Sequence, residues 1–146
     1  QKPPRFPLFV SLLGKKVVII GAGAIAARRI GVLQKFGADI HVIAPEISQN
    51  IDLSKICYQA RSFQPEDING AFLVIAATND RTVNHEVAAI CKQHEIPVSV
   101  ADCAEESTFY FPAICEGNGL IAGLVSDGSD HHAVSRTAKK IREILE

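Results

Sequence analysis

Four consecutive β-favouring apolar residues, Val17 to Ile20, run directly into Gly21 and Gly23, and a helical pattern starts at once. Such an apolar run is typical of a strand that is buried on both faces of a sheet. Gly21 allows a tight turn, and Gly23 leaves the backbone open to the close approach of a ligand. Ala26 keeps the following helix close to the sheet. The strand, turn and helix together indicate dinucleotide binding, and a glycine turn that serves only packing is the alternative.

The N-terminus of that helix offers free N–H groups and a positive dipole end to the phosphates of a dinucleotide. In such units, an acid near the end of the second strand commonly receives the adenosine ribose hydroxyls. Here the second strand ends at Pro45, and Glu46 is the nearest acid. No Arg or Lys adjoins Glu46 to take a 2′-phosphate, which favours NAD over NADP. The alternative for Glu46 is a solvated residue at a helix start, since Pro-Glu is a common helix opening.

Strand patterns alternate with helical patterns through the first two thirds of the chain. This alternation predicts an α/β fold, a Rossmann-type doubly wound parallel sheet with strand order 3-2-1-4-5. Ligands bind such sheets outside the carboxyl ends of the strands. The predicted edge collects the turn residues Gly21, Gly23, Ala24 and Pro45 and the polar residues Glu46, Thr78, Asn79 and Asp102. Their clustering predicts the binding site.

The alternation stops after Asp102, and we predict an NAD-binding Rossmann domain over residues 1–107 and a dimerisation segment over residues 108–146. In the segment, two strand patterns flank a hairpin turn at residues 116–119, and a helix follows. The apolar stripe of this helix consists of Val134, Ala138, Ile141 and Leu145. Two strands and one helix cannot bury both of their faces alone. A symmetric homodimer is the commonest solution and is predicted here.

Composition excludes several classes of function. The net charge of −1 over 146 residues gives no reason to expect nucleic acid or a membrane surface as a partner. There is neither a membrane-length apolar run nor a secretory signal pattern, and the four cysteines form no C-x-x-C pair, which predicts reduced thiols in a cytoplasmic protein. His131 and His132, with Asp130 and Cys103, are a candidate metal set, but adjacent histidines point apart. Surface loop histidines are preferred, and no metal ligand is predicted.

Several segments, in order and with matching spacing, resemble one known family. They are residues 6–9, 21–29, 42–46, 75–80 with Val83 and Asn84, and 109–113. The family is the precorrin-2 dehydrogenase/sirohydrochlorin ferrochelatase family, the N-terminal module of siroheme synthase. The resemblance covers nearly the whole chain, and it is therefore far more specific than the glycine motif alone.

The resemblance implies the NAD-dependent oxidation of precorrin-2 to sirohydrochlorin in siroheme biosynthesis, and in some members also the insertion of iron. It implies NAD contacts at Ala24 and Ile25, and at Pro45 and Glu46. The functionally important aspartate of the family falls on Asp102, as a general base or an orienting group. The resemblance also implies a dimer formed through the segment after the nucleotide domain. The helical tail that normally follows in the family is absent from the 146 residues.

Two features keep a second hypothesis open, that of a non-catalytic NAD(H)-binding or dimerisation module. The loop at residues 126–132 is acidic and His-rich where the family usually ends a Ser/Thr-rich loop in Ser-Pro, and the helical tail is missing. Asp102 itself has a plainer alternative, that of a capping residue where a strand passes into a loop.

Overall fold

The computed structural model describes residues 2–48, 50–130 and 132–146 of the chain. His131, in the predicted surface loop, lies outside the described residues. The contacts divide the chain into two compact units. We call Ser11–Phe109 the sheet unit, and Gln1–Val10 together with Tyr110–Glu146 the hairpin unit.

The sheet unit is built on five strands with two helices between them. Its parallel sheet has the order β3-β2-β1-β4-β5, which confirms the predicted Rossmann-type topology. The strands are β1 (Lys16–Ile20), β2 (Asp39–Ile43), β3 (Cys57–Gln59), β4 (Leu73–Ala76) and β5 (Val98–Val100). The helices are α1 (Ala24–Gln34) and α2 (Arg81–Gln93).

β1 is central, and four of its residues, Val17 to Ile20, are at most 1% exposed. This agrees with the continuous apolar run, since a strand covered on both faces needs no polar alternation. On one face, Val87 and Ala88 of α2 join Val18 and Ile20 in a single core cluster. The helical spacing of Ala26, Ile30 and Leu33 predicts a buried stripe, and helix α1 buries all three residues. The sheet therefore holds the start of α1 and the strand ends in fixed positions.

The hairpin unit contains β6 (Ala113–Gly117), β7 (Leu120–Leu124) and α3 (Ala133–Leu145). The two strands are antiparallel and are joined through Asn118 and Gly119, whose φ angles of 51° and 77° suit a tight hairpin turn. Helix α3 packs against the hairpin: the amide of Asn118 donates to the carbonyl of Leu145 at 2.7 Å. The predicted strands, turn and helix are all present.

No helix among the described residues has the length and apolarity that a membrane span requires.

Candidate functional site

The turn after β1 requires a glycine at position 21. Gly21 has a φ of +113°, a conformation that side chains rarely adopt, and its N–H donates to the carbonyl of Ile43 at 2.9 Å. A Cβ atom at this position would overlap the carbonyl oxygen of Ala77. The ends of β1, β2 and β4 therefore meet at Gly21 with no room for a side chain.

Gly23 differs from Gly21, because no contact among the described residues requires a glycine at this position. Its φ is −84°, which any residue can adopt, and a Cβ atom there would meet no described residue within 4 Å beyond its two chain neighbours. Gly23 is also the N-cap of α1, and no side chain caps the helix. The first turn of α1 carries no acidic residue. The amide groups and positive dipole end of α1 are thus left for an anion, and the space beside Gly23 is left for a ligand.

A cleft of about 540 Å³ lies at this edge of the sheet. Its walls include the ends of β1, β2 and β4 and the segments that follow them. Of the residues predicted to bind the cofactor, the lining contains Gly21, Gly23, Pro45, Glu46, Thr78 and Asn79. The site combines a glycine turn with open space beside it, a helix start without a side-chain cap, and the exposed carboxylate of Glu46. These features suit the binding of a dinucleotide.

Three predicted residues do not line the cleft. Ala24 and Ile25 form the first turn of α1, directly after the lining residue Gly23, and Ile25 is 43% exposed. Asp102 follows β5, at the same edge of the sheet but outside the lining. Their roles in binding and catalysis stay predictions.

Thr78 is held in the cleft wall by a residue that is completely buried. Its N–H and its hydroxyl both donate to Oδ1 of Asn84, at 3.1 and 2.7 Å, and the Asn84 amide donates to the Thr78 carbonyl at 3.1 Å. Asn84 is 0% exposed. Asp80 caps α2 by accepting the N–H of Thr82 at 2.9 Å. Asn84 thereby fixes the backbone after β4 in the shape that the cleft requires.

We expect Asn84→Ala to destabilise the protein by about 1–3 kcal/mol, because half-buried polar groups of Thr78 lose their completely buried partner. Asn79→Ala is the matched control: Asn79 is exposed, and its replacement should change stability by no more than about 0.5 kcal/mol. Urea unfolding of both variants measures the difference. Equal stabilities would show that the Thr78–Asn84 contacts are not what holds this turn.

A network of charged side chains surrounds Asp102. Arg81, the first residue of α2, donates from Nη1 to Oδ1 of Asp102 at 2.7 Å and also contacts Glu106. His85 Nδ1 lies 2.5 Å from Oε2 of Glu106. The hydrogen bond with His85, aided by the charge of Arg81, lowers the pKa of Glu106. Helix α2 is thus tied to the segment after β5, and the Asp102 carboxylate is held by one oxygen.

Arg61, in the loop after β3, is engaged in a structural ion pair. Its two Nη atoms meet the two carboxylate oxygens of Asp67 at 2.5 and 2.9 Å, and the Gln64 N–H donates to the same carboxylate at 2.7 Å. Burial alone would raise the pKa of Asp67, but these hydrogen bonds outweigh it, and the pKa is lowered. This pair fixes the loop after β3, where Ser62 and Phe63 line the cleft.

The lowered pKa of Asp67 predicts a pH dependence of stability. The folded pKa lies below the unfolded value of about 3.9, so the carboxylate stabilises the fold above that range and loses its effect as the pH falls through the folded pKa. Asp67→Asn should therefore be clearly less stable than wild type at neutral pH, and this gap should close in acid. Denaturant unfolding across that pH range tests this. The exposed Glu66→Gln serves as control, and a gap independent of pH would contradict the assignment.

Sequence reasoning missed several residues of the site. Ser48 lines the cleft, and its N–H donates to the carbonyl of Ala22 at 2.9 Å. Ser62 and Phe63 reach the cleft from the loop after β3. The one available signal was their position after predicted strands, where the chain must pass the carboxyl edge of the sheet.

Comparison with known proteins identifies the family. A family model described as "Putative NAD(P)-binding" matches residues 8–113. Among curated relatives, the chain is 48% identical over 145 residues to the "Probable multifunctional siroheme biosynthesis protein HemA" of Ruminiclostridium josui, covering 96% of this chain and 28% of that protein. It is 34% identical over 145 residues to "Siroheme synthase" of Neisseria meningitidis serogroup B strain MC58, covering 97% of this chain and 29% of that protein. The chain belongs to the NAD(P)-binding module family of siroheme synthases.

The predicted resemblance is thereby confirmed, and the module spans less than a third of the length of these two relatives. A solved structure, "SirC, precorrin-2 dehydrogenase", matches with a TM-score of 0.78 and 25% identity. The match covers 97% of this chain and 72% of SirC. The similarity therefore includes the hairpin and α3 as well as the parallel sheet.

Proposed function

We propose that this module oxidises precorrin-2 to sirohydrochlorin with NAD⁺ as the acceptor, in siroheme biosynthesis. The reaction converts precorrin-2 and NAD⁺ to sirohydrochlorin, NADH and one proton. The observation that carries the proposal is the likeness to the precorrin-2 dehydrogenase SirC over 97% of the chain. Many dehydrogenases share a parallel dinucleotide-binding sheet, but this match extends through the hairpin and its helix.

The cleft supports NAD as the cofactor. The backbone at Gly23 and the amides at the start of α1 would hold the pyrophosphate, since no side chain caps this helix and the space that a Cβ of residue 23 would take is open. Glu46 lines the cleft after β2 and would accept the adenosine ribose hydroxyls. Its chain neighbours Pro45 and Ile47 offer no cation for a 2′-phosphate, which supports NAD over NADP. When bound, NAD⁺ supplies the hydride acceptor.

Asp102 is proposed to take up the proton that precorrin-2 releases when its hydride leaves. Its side chain is 41% exposed, and Arg81 contacts Oδ1, so the carboxylate is both accessible and oriented. Arg81 is proposed as a positioning residue, because it acts through Asp102. A carboxylate placed in this way can contribute as a general base, an effect that is typically about 10²–10⁴-fold in rate.

The direct test incubates the 146-residue chain with precorrin-2 and either NAD⁺ or NADP⁺. We expect the absorbance of NADH and of sirohydrochlorin to appear together and in equal amounts with NAD⁺, and much more slowly with NADP⁺. NAD⁺ binding without turnover would favour the non-catalytic module. The absence of both binding and turnover would contradict the proposal as a whole.

Ferrochelatase activity is a separate expectation from the family resemblance. It predicts that Fe²⁺ enters sirohydrochlorin in the absence of NAD⁺, and that Asp102→Ala slows this insertion. If insertion proceeds equally fast in Asp102→Ala, Asp102 has no part in chelation.

We also propose that the module works as a homodimer through the hairpin unit. Large apolar side chains of this unit are exposed, among them Phe6 at 86%, Leu8 at 74%, Phe9 at 70%, Leu120 at 62% and Ile144 at 78%. A two-stranded sheet with one helix leaves apolar surface of this kind without cover. A second copy would bury it, since a symmetric dimer uses the same surface on both subunits.

We expect Leu120→Glu to shift the protein from dimer to monomer, because a carboxylate replaces apolar surface at the proposed contact. Sedimentation analysis over a range of concentrations measures the shift. Glu116→Lys, on the neighbouring strand, changes an exposed residue that is already charged and should leave the dimer intact. A wild-type protein that remains monomeric at high concentration would contradict the proposal.

A further inference from the structure

We infer that the sheet unit carries a second ligand site, for a Zn²⁺-class divalent cation, formed by Asp39, His41 and Cys57. One ligand atom from each of these residues lies within 4.8 Å of the other two. Oδ2 of Asp39 and Nε2 of His41 are 3.0 Å apart. This inference goes beyond the proposed dehydrogenase function and does not depend on it.

The pairing of strands produces the cluster. β2 and β3 are parallel, and their register places His41 directly beside Cys57. Asp39 lies two residues before His41 on β2, and alternate residues of a strand project from the same face. All three side chains therefore share one face of the sheet near its β3 edge. This arrangement is fixed by the backbone, so it does not depend on a mobile loop.

The three donors have the chemistry of a transition-metal site. A thiolate, an imidazole and a carboxylate together suit Zn²⁺ and Co²⁺, and poorly suit Mg²⁺ or Ca²⁺, which prefer oxygen ligands. Tetrahedral bonds of about 2.0–2.3 Å place ligand atoms roughly 3.3–3.8 Å apart, so small side-chain rotations would close the cluster around an ion. Three protein ligands leave the fourth position for water.

The surroundings allow an ion to enter. The side chains of Asp39 and His41 are 54% and 25% exposed, and Cys57 is an exposed free thiol. Lys16 is the register neighbour of Asp39, but its ammonium group donates to the carbonyl of Asn69 at 2.9 Å. Asp39 and Cys57 begin their strands, whereas the cleft lies at the carboxyl ends. The cation site is thus separate from the proposed redox site.

Cobalt provides the test, because a Co²⁺–thiolate bond gives a near-ultraviolet charge-transfer band. We expect the reduced 146-residue protein to develop this band on titration with Co²⁺, and Zn²⁺ to abolish it. Cys57→Ser should lose the band. His41→Gln and Asp39→Asn should each weaken Co²⁺ binding by at least about 10–100-fold. That is the typical effect of losing a residue that only supports a metal ligand.

Cys103→Ser is the matched control, since Cys103 is also a free cysteine that is not fully buried, and this variant should keep the band. Cys91 is buried, and its burial raises the pKa of the thiol to about 12, so it is a poor competitor for the ion. The site is disproved by a wild-type protein that shows no band, by a band that survives in Cys57→Ser, or by one that disappears in Cys103→Ser. Circular dichroism of each variant shows that the fold is unchanged.

Discussion

Gly23→Val should abolish NAD⁺ binding while the protein remains folded. Gly23 has an ordinary φ of −84°, and a Cβ there meets no described residue within 4 Å beyond its chain neighbours, so we expect the fold to accommodate valine. Its side chain would instead occupy the space beside the start of α1, where the pyrophosphate is proposed to lie. We expect a loss of affinity of at least about 100-fold, which corresponds to about 2.8 kcal/mol.

Gly31→Val is the matched control for this experiment. Gly31 is an exposed residue of α1, and a Cβ there also meets nothing within 4 Å, but it does not line the cleft. Calorimetric titration with NAD⁺ should therefore give wild-type affinity for Gly31→Val and none measurable for Gly23→Val. If Gly23→Val binds NAD⁺ with unchanged affinity and both variants fold normally, the dinucleotide does not bind at this turn.

Gly21→Ala separates the two glycines of the motif. At Gly21 a Cβ atom overlaps the Ala77 carbonyl and the φ is positive, so alanine is expected to disturb the fold itself. The motif thus contains one glycine required by the chain and one left open for a ligand, a distinction that the spacing of the glycines cannot reveal.

Local patterns predicted the fold because the features that decide it are local. The apolar run of β1 predicts a buried strand, and β1 is buried. Gly37 lies where a glycine commonly ends a helix, and its φ of +75° after α1 agrees with that position. Residues 78–80, Thr-Asn-Asp, are suited to cap the helix that follows them, and Asp80 caps α2. The pattern of residues 56–61 predicts a third strand at a sheet edge. The strand observed there, β3, extends only over Cys57–Gln59, because an edge strand has one partner to set its length.

Contacts between distant residues could not be predicted. Arg81 meets Asp102 across a separation of 21 residues, and His41 meets Cys57 only because of the register between β2 and β3. In the sequence, each of these four residues could equally be an ordinary solvated side chain at the protein surface. The residues that lie at the carboxyl edge of the sheet could be predicted from where the strands end. The contacts of their side chains could not, because they depend on the paths of the loops along that edge.

Asp102→Asn should reduce the turnover of precorrin-2 by about 10²–10⁴-fold while NAD⁺ binds as in wild type. Asparagine keeps the size and the acceptor oxygen that Arg81 contacts, but it cannot take up a proton, so the loss should fall on kcat rather than on KM. Glu86→Gln removes an exposed carboxylate from α2, the helix that carries Arg81, and should leave the kinetics unchanged. Wild-type turnover in Asp102→Asn would exclude the carboxylate as the base.

The same assay separates a positioning role of Arg81 from a merely structural one. Arg81→Gln removes the cation that holds Oδ1 of Asp102, so kcat should fall, though by less than in Asp102→Asn. Arg81→Lys retains a charged donor and should restore part of the lost kcat, which a variant that is only less stable would not show. If Arg81→Gln lowers kcat in the Asp102→Asn background as well, Arg81 does not act through Asp102, because its effect would then be independent of the carboxylate.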